Sequence, residues 1–498
     1  MQLYPILVVA IVLIGGSGVR LLPDVGFPRP LHAVMLAVIP AILIVATVAA
    51  VTAACRWWLA RHGGPRPIVV AERVQTAGRW ALLLQHAVAT LLFGWMAAIQ
   101  SVTGPLILLD ELIGIAPPLL GVTALWWINY PLERRMREAM IIRRLDRGAP
   151  IYRIPRRGRY VLEQTRLQIL LLLVPLLLIV TLSEGTQWAI ERFGGDGIPA
   201  GVIDAATFGA GVIVFLLAPL IARLVLNVRS LAAGPVRDDL DEICSRHAVR
   251  VRDFLLWQTN GIMINAAVMG LIGPLRFVLL TDALVETMSR EQVQAVMAHE
   301  VGHVRRHHLP WLVASLIAML MVGGGLLATP ALAAHAAPDL FSPAAWRWVD
   351  LAATGVTIIL LLLLFGWISR RYERQADTFA VQHLSGLGVP RAPGTPPPVV
   401  TAEAVAAMRS ALDGVARTNT VDPRRRSWRH GSIAWRQAYL STLVGRPVDG
   451  LPIDRVIRAI KIASALVIVA GLLAAAWPGP AGDTASSRPP ATSAEDPP

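Results

Sequence analysis

Long apolar runs alternate with short polar stretches along most of the chain. Nine runs approach or exceed the ~18 residues that a helix needs to cross a bilayer: about 2–19, 31–54, 80–99, 112–130, 167–183, 203–222, 311–329, 351–368 and 460–477. The first lacks the basic leader of a secretory signal, so it reads as a spanning helix. The fourth contains Pro117-Pro118. The pattern predicts a mainly α, polytopic helical membrane protein of about nine spans with an α+β soluble part.

Six spans fall in residues 1–228. Two polar segments, 229–310 and 369–455, flank a transmembrane hairpin at 311–368, and a last span covers 456–477. The tail 478–498 is rich in Pro, Ser, Ala and acid, and reads as disordered. Gly386 to Pro398 reads as a loop insertion. Within the third run, Gln85 and His86 read as a pair that hydrogen-bonds between helices.

Composition agrees with a membrane protein: 55% hydrophobic, 16% charged, mean hydropathy +0.56. The net charge of +13 sits largely in arginine loops beside spans. Ten arginines lie between Arg134 and Arg159, and the loop from Arg56 to Arg79 is basic, whereas 100–111, 184–202 and 330–350 are poor in Lys and Arg. The positive-inside rule puts the basic loops in the cytoplasm, and all nine spans then alternate without conflict. The charge also suits anionic lipid headgroups. No nucleic-acid reading motif accompanies it, so no nucleic-acid partner is expected. Cys55 and Cys244 suggest neither a disulfide framework nor a cysteine metal site, and read as buried small residues.

The polar segment before the hairpin holds His299-Glu300-Val301-Gly302-His303. In this H-E-x-x-H pattern two histidines at i and i+4 share a helix face and can bind one metal ion, with the glutamate placed as a general base. Ser289 and Gln292 form a capping-box pattern, which predicts a helix from about Arg290 to His308. A catalytic zinc takes three protein ligands and keeps one position open. The metzincin offsets hold Arg306 and Leu309, which excludes that class. By helical period, His307 and His308 point away from the ligand face and read as interfacial polar residues.

Across the hairpin, Glu373 and Asp377 share a helix face. Glu373 is the candidate third ligand, with Asp377 a hydrogen-bond acceptor for a ligand histidine. On spacing alone, both acids could equally be solvated and paired with Arg370 and Arg374. Leu255 to Val268 reads as a strand or hairpin, with Asn265 in it or in a turn.

These motifs together resemble the membrane-embedded zinc metalloproteases that include the CAAX prenyl protease and the bacterial heat-shock protease. H-E-x-x-H precedes a hairpin of spans, and S-R-x-x-E-x-x-A-D follows at Ser369, Arg370, Glu373, Ala376 and Asp377. Asn265-Ala266, the run Arg276 to Leu284, and His430-Gly431-Ser432 through Arg436 resemble further family segments, with Gly431 in place of a proline. The resemblance covers about 240–445.

It implies a cytoplasmic zincin-like protease domain with one Zn2+ per chain, held by His299, His303 and Glu373. It also implies Glu300 as general base, His430 and Arg436 near the metal, and Asn265 on the substrate backbone. The implied partners are a peptide or protein substrate and the lipid bilayer. The implied setting is a bacterial inner membrane, with a role in protein quality control. The alternative is a catalytically silent membrane receptor or scaffold with a structural zinc site. An intact Glu300 beside an open ligand set speaks against it.

Overall fold

The computed structural model describes residues 3–16, 30–104, 106–146, 148, 150–193, 200–390, 392–419 and 421–476. The expected disordered tail, 478–498, lies outside them, as does the end of the first expected span. Two compact units emerge: residues 1–301 with 406–422, and 302–405 with 423–498. The division falls inside one continuous helix, Arg290–Arg305, after Val301.

Among the described residues, seven helices are long and apolar enough to span a bilayer: Pro30–His62, Leu109–Leu145, Arg157–Ile190, Gly201–Val225, His308–Ala336, Ala345–Leu384 and Pro452–Ala474. Helices Arg66–Leu91 and Trp95–Thr103, bent by 63° at their junction, would together make an eighth. The first expected span appears as a helix of only 13 residues, Tyr4–Gly16. Nine expected spans thus become seven or eight plus this short helix. Six of the seven are little covered by protein, with 11–22% of the apolar window buried, against 50% in Leu109–Leu145. Such a surface needs a hydrocarbon solvent rather than water.

In the first unit, Tyr4–Gly16, Pro30–His62, Arg66–Leu91 and Leu109–Leu145 pack around Val8, Leu82 and Leu125. Leu109–Leu145 runs unbroken through Pro117-Pro118. Gln85 shows how one proline is accommodated. Pro40 has no N–H to offer the carbonyl four residues back, at Leu36. Gln85 Nε2 donates to that carbonyl at 3.0 Å and to Ala37 O at 2.9 Å, as the expected interhelical bond.

After the helix Ala200–Val225 the chain forms a four-stranded sheet: β1 (Val228–Ser230), β2 (Asp253–Trp257), β3 (Ala266–Met269) and β4 (Phe277–Thr281), in the order β1-β2-β4-β3. Every residue of β4 is buried, as expected of a central strand covered on both faces. Leu255, Trp257, Phe277 and Leu279 pack against Ala222 and Leu226 of the preceding helix. Of the strand or hairpin expected over Leu255–Val268, strands form at both ends of the stretch but do not pair with each other. β4 inserts between β2 and β3, pairing parallel with β2 and antiparallel with β3. The connecting loop is held by Asp282, whose Oδ1 accepts from Thr259 Oγ1 at 2.5 Å.

Cys55 and Cys244 are both buried, and burial pushes the Cys244 thiol up to about 12. This agrees with their reading as inert core residues.

In the second unit, His308–Ala336, Pro343–Leu384 and Pro452–Ala476 pack around Met319, Ile368, Tyr372, Ile453 and Ile457.

Candidate active site

The capping box forms as the sequence predicts: Ser289 N donates to Gln292 Oε1 at 3.0 Å, and Gln292 N donates to Ser289 Oγ at 3.3 Å. It starts the motif helix at Arg290, which ends at Arg305, three residues before the expected His308. There His307 takes a left-handed φ of 56°.

In the second unit, Gly302 on this helix faces Phe379 of Pro343–Leu384. A Cβ at Gly302 would stand 3.0 Å from Phe379 Cβ, so the missing side chain permits the close approach. His303 Nε2 then lies 3.9 Å from Glu373 Oε1. His299 stands one turn earlier on the same helix. His303 and Glu373 each offer a ligand atom within the second unit, and His299 lies on the same face of the motif helix as His303. His299 and Glu373 are buried and His303 is half-buried. Two imidazoles and a carboxylate, none of them needing a fourth protein ligand, fit a zinc site with one open position.

Glu300 lies beside His299 and is half-buried. Its Oε2 accepts from Val268 N at 3.2 Å. β3 is an edge strand, so its backbone groups alternate between β4 and the free edge. Asn265 O accepts from Thr281 N on the β4 side. By alternation, Ala266 and Val268 present theirs to the edge, where Glu300 stands. Asn419 fixes the approach to this strand: its Oδ1 accepts from Ile264 N and its Nδ2 donates to Ile264 O, both at 2.9 Å. Asn419 carries no sequence motif that could have pointed to this clamp.

The segment His430 to Arg436 lies against Glu373. His430 Nδ1 is 3.0 Å from Glu373 Oε1, on a ring about half exposed. Ser432 caps the helix Ile433–Ser441 by accepting from Trp435 N at 3.2 Å. That helix aims Arg436 inward. Its Nε and Nη2 grip Asp377 Oδ2 and Oδ1 at 2.7 and 2.5 Å, and its Nη1 lies 3.8 Å from Glu373 Oε2. Arg374 stacks 3.7 Å over the Trp435 ring and holds the same helix. Burial pushes the Tyr439 phenol on this helix upward.

His308 departs from the sequence reading. It is buried rather than interfacial, with its Nδ1 3.0 Å from His303 Nδ1. The helical period that placed it off the ligand face ends at His307, whose left-handed backbone folds His308 back. His307 itself is exposed, as expected.

Residues 243–391 match the family model of Peptidase family M48, and both H-E-x-x-H and the Ser369–Asp377 motif lie within them. The chain is similar to a protease HtpX homolog of Aeropyrum pernix, with 24% identity over 204 residues. That alignment takes in 39% of this chain and 61% of the relative, so the chain spans about three-fifths of that protein's length. Among solved structures it is similar to the crystal structure of S. mikatae Ste24p, at 14% identity and a TM-score of 0.38, covering 82% of this chain and 98% of that one. The family-model match and the protease relative bear out the resemblance to M48 metalloproteases. His430 and Arg436 lie beyond the matched residues.

Proposed function

We propose that the chain is an integral-membrane zinc endopeptidase, hydrolysing peptide bonds of membrane or membrane-proximal proteins in a quality-control role. The observation that carries this reading is the approach of His303 Nε2 to Glu373 Oε1, on a helix that also carries His299 and Glu300. His299, His303 and Glu373 would hold a zinc ion, which would supply Lewis acidity for the scissile carbonyl and for water.

The remaining work falls to this chain's own groups. A substrate strand pairs with the edge-facing groups of Ala266 and Val268, with Asn265 on its backbone. That docking sets the scissile bond next to Glu300. Glu300 takes a proton from the attacking water and hands it to the leaving amine. His430 and Arg436 donate to the developing oxyanion. Asp377 holds Arg436 in place by the two-pronged bond.

The side of the membrane follows from charge. Arg305, Arg306, Arg370 and Arg371 sit at one end of the hairpin, whereas the opposite loop, about 330–350, has Arg347 alone. The positive-inside rule assigns the site to the cytoplasmic face.

The protein, reconstituted in liposomes with a single-span reporter, is expected to cut the reporter within its cytoplasmic juxtamembrane segment. Mass spectrometry of the products locates the cut, and a chelator is expected to stop it. Cleavage that persists in chelator, or cuts confined to the opposite side, would contradict the reading.

A further inference from the structure

The proposed ligand His303 heads a chain of hydrogen bonds that ends on another spanning helix. His303 Nδ1 and His308 Nδ1 are 3.0 Å apart. His308 Nε2 and Gln375 Oε1 are 2.8 Å apart. Gln375 Nε2 donates to Asp454 Oδ1 at 2.6 Å. Asp454 lies in the first turn of Pro452–Ala476.

The proton positions along this chain are determined by its ends. His303 turns Nε2 toward Glu373. Ligation through that nitrogen leaves the proton on Nδ1, which donates to His308 Nδ1. His308 must then carry its own proton on Nε2, and donates it to Gln375 Oε1. The Gln375 amide donates in turn to the Asp454 carboxylate. Every donor meets an acceptor, and every bond points from the metal side toward a negative charge. An imidazole so held is fixed in tautomer and orientation and is a stronger base toward its metal.

The surroundings keep the chain in one arrangement. His308 and Gln375 are 3% and 4% exposed. The His308 ring meets His303 edge-on and packs on Tyr372. Lys461, also on the last helix, donates from Nζ to Arg306 O at 2.8 Å, at the end of the motif helix.

We infer that His308, Gln375 and Asp454 are positioning residues for the metal, and that the C-terminal spanning helix is thereby part of the site rather than only an anchor. The inference rests on the zinc reading above. It concerns retention and geometry of the metal, so it can be read without proteolysis.

The test uses the full chain in detergent, with zinc release to a chromophoric chelator and the absorption spectrum of the Co2+-loaded protein as readouts. Wild type comes first and is expected to hold zinc. His308→Phe keeps ring volume and removes both nitrogens, and is expected to weaken zinc binding by about 10–100-fold and to shift the Co2+ bands. Gln375→Leu is expected to move both readouts the same way. The exchange pair Gln375→Glu with Asp454→Asn restores an acceptor for His308 and a donor behind it. That pair is expected to retain zinc and the wild-type spectrum, which loss of packing alone would not produce. If wild type holds zinc and both single variants match it in affinity and spectrum, the inference is overturned and the zinc reading stands. Wild type that binds no zinc overturns both.

Discussion

Glu300→Gln is expected to cut the rate of peptide hydrolysis by about a hundred- to ten-thousand-fold, the contribution of a well-placed general base, while zinc content stays at the wild-type level. The amide keeps the size of the carboxylate and leaves the three proposed ligands unchanged. It can no longer take a proton from water. Glu300 Oε2 accepts from Val268 N on the free edge of β3, so the base stands where a docked peptide would lie. Cleavage of an unstructured protein substrate, followed by gel and mass spectrometry in the presence of zinc, measures the effect. Near-normal cleavage by the variant would remove Glu300 from the base role.

Arg436→Leu is expected to destabilise the second unit by about 3–5 kcal/mol, the usual cost of breaking a buried ion pair by removing one partner. The Asp377 side chain is 1% exposed, and both its oxygens are gripped by Arg436. Without the guanidinium, the buried carboxylate loses the two charge-assisted bonds that offset its burial. The melting temperature in detergent should fall markedly. Adding Asp377→Asn to Arg436→Leu should recover much of it, because the buried charge is then gone. Activity should stay low in the double variant, since the proposed oxyanion donor is still missing. Equal melting of wild type and Arg436→Leu would show that the pair carries little of the unit's stability.

Features with a local cause were legible in the sequence. Seven of the nine apolar runs became helices of spanning length, because a long apolar run carries that signal by itself. The capping box at Ser289 and Gln292 formed because both its bonds close within one turn. Glu373 and Asp377 share a helix face, as their four-residue spacing requires.

Features set by the tertiary arrangement were not legible. β4 enters between β2 and β3, and nothing in Leu255 to Val268 announces a partner strand that comes later in the chain. The helical run expected over 80–99 breaks at Gly94, which takes a φ of +65°. His308 was misplaced because its direction depends on one left-handed residue, His307. A non-glycine residue rarely adopts that conformation, and the helical period gives no sign of it.

The account turns on a metal held by His299, His303 and Glu373, and elemental analysis of the purified full chain tests it most directly. About one zinc per chain is expected in wild type, from a three-ligand site with one open position, and almost none in the His299→Ala, His303→Ala variant. Equal zinc in both proteins, or none in wild type, would contradict it.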